Sequence, residues 1–479
     1  MLVRRGFGRS RFLRRGLTRS LSTAAEYLES LVKVNYETSV DRSGLRDNEG
    51  PFDSVNLLLE ALGRPQEALS VVHVVGSKGK GGTSSILSGI LSRSGLRVGT
   101  YTSPHVVSLG ERVLIDGEDC EDGRLLEHFR DHEAEVLKVQ GQTGWRLSHF
   151  EALTALSLKY FADRQVDLAV VEAGLGGVKD ATNVFSNARG LRLVVVTPLE
   201  LEHTDVLGER LEDIVAAKVG VVKRGTPLVV ANQSSKALEN LVAEEANSLG
   251  CGRVMRTSVE CQVAYHHRDD DSGRRDYSFA VRGSPSSRRE LRQARLPKFV
   301  VDNASTALVA AEFLASGFGI DIRDEDVEGA LRDHQLPGRF QILPGRGGGA
   351  IVLDGAHTPK SAKVLVDTLI DLYPGREFVF VIAMAKDKDV GSFLAEVARA
   401  NPKKVVCTSA DEHSRSCHQD EILKSAQALG LPAVAAADFQ EARALAKAKE
   451  GDNALLVYTG SFRTVATFLK QSPVRQQNA

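Results

Sequence analysis

The densest chemical signal in the chain is the run Gly76-Ser77-Lys78-Gly79-Lys80-Gly81-Gly82-Thr83. Glycines let a backbone turn tightly and aim several N–H groups at one point. A helix starting there adds its dipole, and Lys80 adds a point charge suited to the β- and γ-phosphates of a nucleotide. The phosphate-loop pattern GxxxxGK[ST] is met only in part, because Val74 stands at its first glycine and Gly81 follows the lysine. Ser77, Lys78, Gly79 and Lys80 are therefore candidate phosphate-binding residues, and a flexible basic turn is the plainer alternative.

A second constellation is Glu172-Ala173-Gly174-Leu175-Gly176-Gly177, directly after the apolar run Asp167–Val171. A carboxylate at the end of a parallel strand lies where open α/β sheets place ligand groups, and it suits magnesium. His203, in LEHTDVLG, follows another apolar run, Leu191–Val196. A strand-end Glu or a lone His is commonly structural. Their joint placement on the sheet edge that carries the glycine loop makes them candidates.

The elements that must position these residues are legible as alternation. Val71–Val75 reads as a strand, the stretch from Thr83 to about Ser94 as a helix, and Arg97–Tyr101 as the next strand. Helical spacing of Phe150, Leu153, Leu156 and Tyr160 predicts a helix over 149–163. Pro227–Val230 is a further strand. Such alternation implies βαβ units and a parallel sheet covered on both faces. Residues 266–296, with HHRDDDSGRRD and GSPSSRRELRQAR, read as a polar, partly exposed hairpin or insertion. Helical periodicity returns at Val301, Ala304, Leu308 and Ala311. Two Pro-Gly pairs and three glycines then make 342–349 an interdomain linker. Beyond it, strands at 350–353, 378–382, 404–408 and 454–458 alternate with helices, predicting a second, smaller doubly wound domain.

Composition sets the class. The chain has 479 residues, 42% hydrophobic and 26% charged, enough to bury a sizeable core. Lys plus Arg is 61 against 62 for Asp plus Glu, which argues against a nucleic-acid coat or electrostatic membrane binding. No run of about 18 apolar residues is evident, so no spanning helix is expected. Cys120, Cys251, Cys261, Cys407 and Cys417 lack disulfide or zinc-site spacing and read as reduced, mostly buried thiols. Residues 1–24 carry Arg4, Arg5, Arg9, Arg11, Arg14, Arg15 and Arg19 without an acid, an organelle-import pattern, and are set apart from the fold.

The segments GSKGKGGTS, YTSPHVVSLGERVLIDG, HFEALTAL, EAGLGGVKDATNV, EHTDVLG, AAKVGVVKRG, LPGRFQ, LDGAHTPKS and TGS occur in that order. Together they resemble the folylpolyglutamate synthase and dihydrofolate synthase family, related to the ATP-dependent Mur amide ligases. The resemblance implies an α/β fold: a P-loop, Mur-ligase-like ATP-binding domain over 25–341 and a smaller C-terminal Rossmann-like domain over 350–479, with ATP between them. It implies ATP and Mg2+ as cofactors, with a monovalent cation such as K+ a further candidate, and dihydropteroate and L-glutamate as substrates of a monomer.

Residue by residue, the resemblance assigns Ser77–Lys80 to phosphate and Ser103, Glu172 and His203 to magnesium. Lys218 matches a lysine that is carbamylated in relatives; an unmodified, salt-bridged lysine is the alternative. With Lys80, Glu172 and His203 it completes the expected catalytic set. Asn303, Arg339 and Asp354 match nucleotide contacts, and His357 and Ser461 lie where relatives hold the incoming glutamate. His149, Phe150, Glu151 and Ala152, with Lys179, Asp180 and Ala181, lie where bifunctional relatives cradle dihydropteroate. Two departures stand out: Gly82 replaces the usual Ser or Thr after GKG, and Thr358 replaces Asn in AHNP.

Glu151 and the Asp180-Ala181 pair resemble the dihydrofolate-synthase pattern. With the leader, they point to the plant mitochondrial type, in the matrix with the cytoplasm as a second location. A polyglutamate synthase or bifunctional enzyme is the alternative, and a non-catalytic nucleotide-binding protein a remote one.

Overall fold

The computed structural model describes residues 23–32, 53–144, 146–186, 190–266, 274–282, 289–294, 296–345, 349–410, 416–447 and 454–472. Residues 1–22 of the expected leader lie outside these. Residue 24, assigned to the leader, belongs to the fold: Thr23 caps the helix Ala24–Leu31. That helix buries Tyr27, Leu28 and Leu31, and its Tyr27 hydroxyl donates to Glu133 Oε2 at 2.8 Å.

The first sheet contains β1 (Val71–Val75), β2 (Val98–Tyr101), β3 (Val113–Ile115), β4 (Glu118–Asp119), β5 (Leu168–Glu172), β6 (Leu191–Val196), β7 (Leu228–Val230) and β8 (Val254–Arg256). Their order is β4-β3-β2-β5-β1-β6-β7-β8, with β2 through β8 parallel and the β3–β4 edge antiparallel. β1, β5 and β7 are buried throughout and rich in Val and Leu, as a sheet covered on both faces requires. Because β2, β5, β1 and β6 run parallel, the residues after each strand meet on one edge. That edge carries Ser103, Glu172, the glycine loop and the 197–203 segment.

The helix Lys80–Arg93 packs on one face beside the 21-residue helix Lys298–Phe318. The latter corrects the expectation that no stretch is long and apolar enough to span a membrane. By length and composition it is, yet 72% of its most apolar window is buried within the protein.

The segment expected as a polar hairpin or insertion holds the hairpin of β10 (Arg274–Val281) and β11 (Arg289–Ala294), which β9 (Cys261–His266) extends to a three-stranded antiparallel sheet. Tyr277, Phe279, Val281, Arg289 and Leu291 alternate toward the core. Arg289, 2% exposed, is matched by Glu312 and, at 2.7 Å, by Asp324. Paired charge is what lets a guanidinium sit in that position.

The second sheet has β12 (Gln341–Pro344), β13 (Ala350–Leu353), β14 (Glu377–Ile382), β15 (Lys404–Cys407), β16 (Ala433–Ala435) and β17 (Ala454–Thr459), in the order β12-β13-β17-β14-β15-β16. All pairs are parallel except β12–β13. The expected linker 342–349 therefore begins inside a strand. Residues 346–348 lie outside the described residues, while Gly345 and Gly349 lie between the paired strands β12 and β13. Asp354, His357 and Ser461 follow β13 and β17, so the second sheet also presents its carboxyl-end edge.

The two units touch. Val106 and Val107, in the loop after β2, pack on a core cluster of the second sheet, and Lys360 Nζ reaches Glu200 Oε2 at 2.6 Å.

Candidate functional site

β1 delivers the chain into a turn at Gly76, φ +146°, and Gly79, φ +82°, before the helix starts at Lys80. Space here is closed to side chains. A Cβ on Gly76 would stand 1.9 Å from Thr197 Oγ1. Ser77 and Lys78 donate their N–H groups to the Pro198 carbonyl, and the Ser77 hydroxyl bridges to Glu200. Ser77 thus ties the loop to the segment after β6. The unpaired amides left for an anion are those of the first helical turn.

Lys80 Nζ and Lys218 Nζ each donate to the Gly76 carbonyl at 3.0 Å. Glu202 bridges Lys218, at 3.2 Å, and Lys78, at 3.4 Å. Burial alone would raise the Glu202 carboxyl, but Lys218, Lys80 and Lys78 outweigh it and hold the group below its usual range. Lys218 is 2% exposed, and burial, with Lys80 beside it, lowers its ammonium to about 8 despite Glu202. Glu202 was not among the residues singled out from sequence, although it adjoins His203.

Glu172, last residue of β5, is buried and accepts the Ser103 N–H at 3.1 Å through Oε2. Burial raises its carboxyl, against the pull of Lys80 and Arg339. A buried carboxylate beside a phosphate loop fits a magnesium ligand, since a cation would relieve that burial. Ser103 is adjacent through its backbone. His203 is exposed, with φ +50° at the start of the short helix Thr204–Leu207. Among the described residues no contact joins it to Glu172, so its place in a shared metal shell rests on resemblance.

The helix Lys298–Phe318 brings Asn303 against the loop. A Cβ on Gly82 would lie 2.4 Å from Asn303 Nδ2, and Thr83 Oγ1 donates to Asn303 Oδ1 at 3.4 Å. Gly82 is thus the residue this Asn303 placement requires.

From the other side, Arg339 stacks 5.2 Å from the Phe462 ring centre. Asp354 accepts the N–H groups of Phe340 and Ala356, each at 2.8 Å. Burial pushes the Asp354 carboxyl up to about 6, although both N–H groups and Arg339 favour the anion. His357 Nδ1 donates to the Gly355 carbonyl at 2.8 Å. Thr358 caps the helix Pro359–Leu372 through Ser361, so the exchange for Asn keeps a side chain competent at that position. Ser461 caps Phe462–Lys470, accepting the Thr464 N–H at 3.1 Å.

The expected substrate residues divide. His149 is neutral, lowered to about 4 by burial, Arg112 and His105. Phe150 packs against Gly174, where a Cβ would meet its Cζ at 2.5 Å. Glu151 accepts the Ser148 N–H at 2.8 Å in a capping box, so its carboxylate secures its own helix. Ala152 and Ala181 are fully buried, and Lys179 is exposed. Asp180 is buried too, accepting Leu175 N–H at 2.6 Å and Thr182 N–H at 2.9 Å, so it braces the 174–182 loop. Sequence reading also passed over Arg112, whose Nε donates to His105 Nδ1 at 2.9 Å and whose charge reaches Glu172. Its signal was the GER of the YTSPHVVSLGERVLIDG segment.

Comparison with known proteins places this geometry. Residues 338–462 match the description "Mur ligase, glutamate ligase domain". An Escherichia coli dihydrofolate synthase/folylpolyglutamate synthase is 30% identical over 375 residues, covering 78% of each chain. A probable bifunctional folylpolyglutamate synthase/dihydropteroate synthase of Haloferax volcanii is 34% identical over 422 residues; these are 86% of this chain and 47% of that one, so the chain spans about half its length. Among solved structures, Escherichia coli FolC in complex with DHPP and ADP superposes with a TM-score of 0.74 at 27% identity, covering 96% of this chain and 99% of that one.

Two predictions follow from the packing. Gly82→Ser forces Asn303 aside and costs roughly 1–3 kcal/mol. Most of that loss returns when Asn303→Ala is added, as urea denaturation of the two singles and the double variant will show; additive losses would place the strain elsewhere. For Asp354, the folded carboxyl titrates near 6, whereas the unfolded one titrates near ~3.9. The folded chain keeps a proton the unfolded chain has lost, so this group's contribution to stability falls as pH rises from about 4 to about 6. Asp354→Asn removes that fall, by up to ~1.4 kcal/mol per pH unit. Parallel pH profiles of urea midpoints for the two proteins would contradict it.

Proposed function

Since the chain belongs to the folylpolyglutamate synthase/dihydrofolate synthase family of ATP-dependent, amide-bond-forming ligases, we propose that it joins L-glutamate to 7,8-dihydropteroate, giving 7,8-dihydrofolate, ADP and phosphate. The observation that carries the ligase reading is the meeting of two carboxyl-end sheet edges. One bears the glycine loop, Lys80 and Glu172, the other Asp354, His357 and Ser461, and Arg339 lies between them. The choice of dihydropteroate is supported by the HFEA and KDATN segments, by Phe150 packed on the Gly174 turn, and by neutral His149. Polyglutamylation of reduced folates, or both activities, is the competing reading, favoured by the bifunctional name of the Escherichia coli relative.

A free carboxylate is a poor electrophile. In the proposed reaction a substrate carboxylate oxygen attacks the γ-phosphorus and ADP departs, leaving an acyl phosphate. The glutamate amine, having lost a proton, then attacks the carbonyl carbon and phosphate leaves. Lys80 and the first helical turn face the charge on the transferred phosphoryl group. Glu172, with Ser103 and His203, would hold magnesium, which supplies further charge neutralisation when bound. Asn303, Arg339 and Asp354 would hold the nucleotide. His357 and the Ser461 turn would orient the incoming glutamate.

Lys218 adds a constraint. A carbamate there would exchange a cation for an anion beside Glu202, which needs a further cation between them. A 13C-bicarbonate carbamate signal that appears only with Mg2+ and is lost in Lys218→Arg supports this; its absence under those conditions rejects it. The import pattern of residues 1–24 supports the mitochondrial matrix as the site of action.

The full chain, supplied with ATP, Mg2+ and L-glutamate, is expected to release phosphate and form a mono-glutamyl product with dihydropteroate and none with tetrahydrofolate. Product from tetrahydrofolate alone would overturn the choice of substrate, and product from both would establish a bifunctional enzyme.

A further inference from the structure

At the far end of the helix His149–Asp163 lies a cluster the ligase reading does not use. Thirteen residues separate Phe150 from Asp163, about 20 Å along a helix axis. Ligand atoms of His128, His132 and Asp163 all lie within 4.8 Å of one another. His128 ends the buried face of the helix Asp122–Asp131, and His132 sits between that helix and Glu133–Gln142. The two imidazoles stand edge to face, ring centres 4.8 Å apart.

We propose that His128, His132 and Asp163 bind a divalent transition-metal ion of the zinc class, at a site separate from the ligase centre. Two imidazoles and one carboxylate are a donor set suited to such an ion, and water completes a tetrahedron. The surroundings have the outer partners that metal-bound histidines need. His128 Nε2 donates to the Leu156 carbonyl at 2.9 Å, which fixes the tautomer and leaves Nδ1 with its lone pair. Glu135 Oε2 lies 4.0 Å from His132 Nδ1, buried and without a hydrogen-bond partner. It can orient His132 or become the fourth ligand.

In the metal-free arrangement Lys159 pairs with Asp163. The Lys159 side chain is 21% exposed and that of Asp163 43%, and the ammonium, on its flexible stem, can swing to solvent when an ion takes its place beside the carboxylate. The bound ion would cross-link the helices Asp122–Asp131 and His149–Asp163. The second of these carries His149–Ala152 at its other end, so the cross-link anchors the helix that positions those residues.

The test uses the full chain stripped of metal with a chelator. Co2+, a spectroscopic substitute for Zn2+, is titrated in, and Zn2+ is then added to displace it. One equivalent should bind with tetrahedral visible bands, and Zn2+ should raise the thermal midpoint. His132→Gln and Asp163→Asn, the first at a partly buried and the second at an exposed position, should each weaken binding by about 10-fold or more and abolish the thermal shift. His203→Ala, in the proposed magnesium shell, should leave both readouts unchanged. Absence of saturable Co2+ binding, binding indifferent to the first two variants, or binding lost in His203→Ala would overturn the assignment.

Discussion

The site depends on a backbone that approaches its neighbours more closely than any side chain would permit. Gly76 lies against Thr197, and Gly79 and Gly82 lie against Asn303, each with room for hydrogen alone. These contacts set the position of the helix Lys80–Arg93 relative to β6 on one side and the helix Lys298–Phe318 on the other. The amides of the first turn are thereby aimed into the space that Glu172 and Arg339 border. A loop held by side-chain packing could drift. Here Gly76 also accepts both Lys80 and Lys218 at its carbonyl, so the loop is fixed by the same cations that would meet phosphate. Such pre-set donors need little reorganisation when charge develops during reaction.

Charge balance follows from that arrangement. Lys78, Lys80 and Lys218 converge near Gly76, and without a nucleotide their mutual repulsion is offset chiefly by Glu202. Burial first, and Lys80 second, make the Lys218 proton easier to lose than in water. Glu172, a short distance away, is driven in the opposite sense by burial. Groups whose affinities for protons are displaced toward each other in one cleft are the expected mark of a functional centre. Lys78 and Lys80 follow β1, Glu172 ends β5, and Glu202 and Lys218 follow β6, which makes the balance a property of the sheet order rather than of any one motif.

How much of this was readable beforehand depends on whether the information is local. The strand–glycine loop–helix unit was legible because apolar run, glycines and lysine are contiguous. The alternation after residue 350 was legible for the same reason. A hairpin within 266–296 was expected, but its third strand and its buried face were missed because charged residues masked a period-two pattern. Tyr277, Phe279 and Val281 do alternate, but buried Arg289 is made tolerable only by Glu312 and Asp324, which lie on later helices. Glu202 and Arg112 were missed because their importance comes from partners across the sheet. Conversely, Glu151 and Asp180 drew attention through motif identity, and their carboxylates turn out to be engaged in capping a helix and bracing a loop.

The second sheet repeats the device of the first. Parallel strands β13 and β17 end together and present Asp354, His357 and the Ser461 turn on one edge, just as β2, β5, β1 and β6 do for theirs. A ligase must bring two anionic substrates and a nucleotide together while keeping water from the acyl phosphate. Facing two such edges toward one another provides that geometry. Among the described residues the contacts between the units include Lys360 with Glu200, Val106 and Val107 on one core cluster of the second sheet, Phe299 on the other, and Arg339 reaching from Phe462 toward Glu172. Arg339 is the informative one, because its guanidinium stacks on a ring of the second unit while its charge acts on a carboxylate of the first.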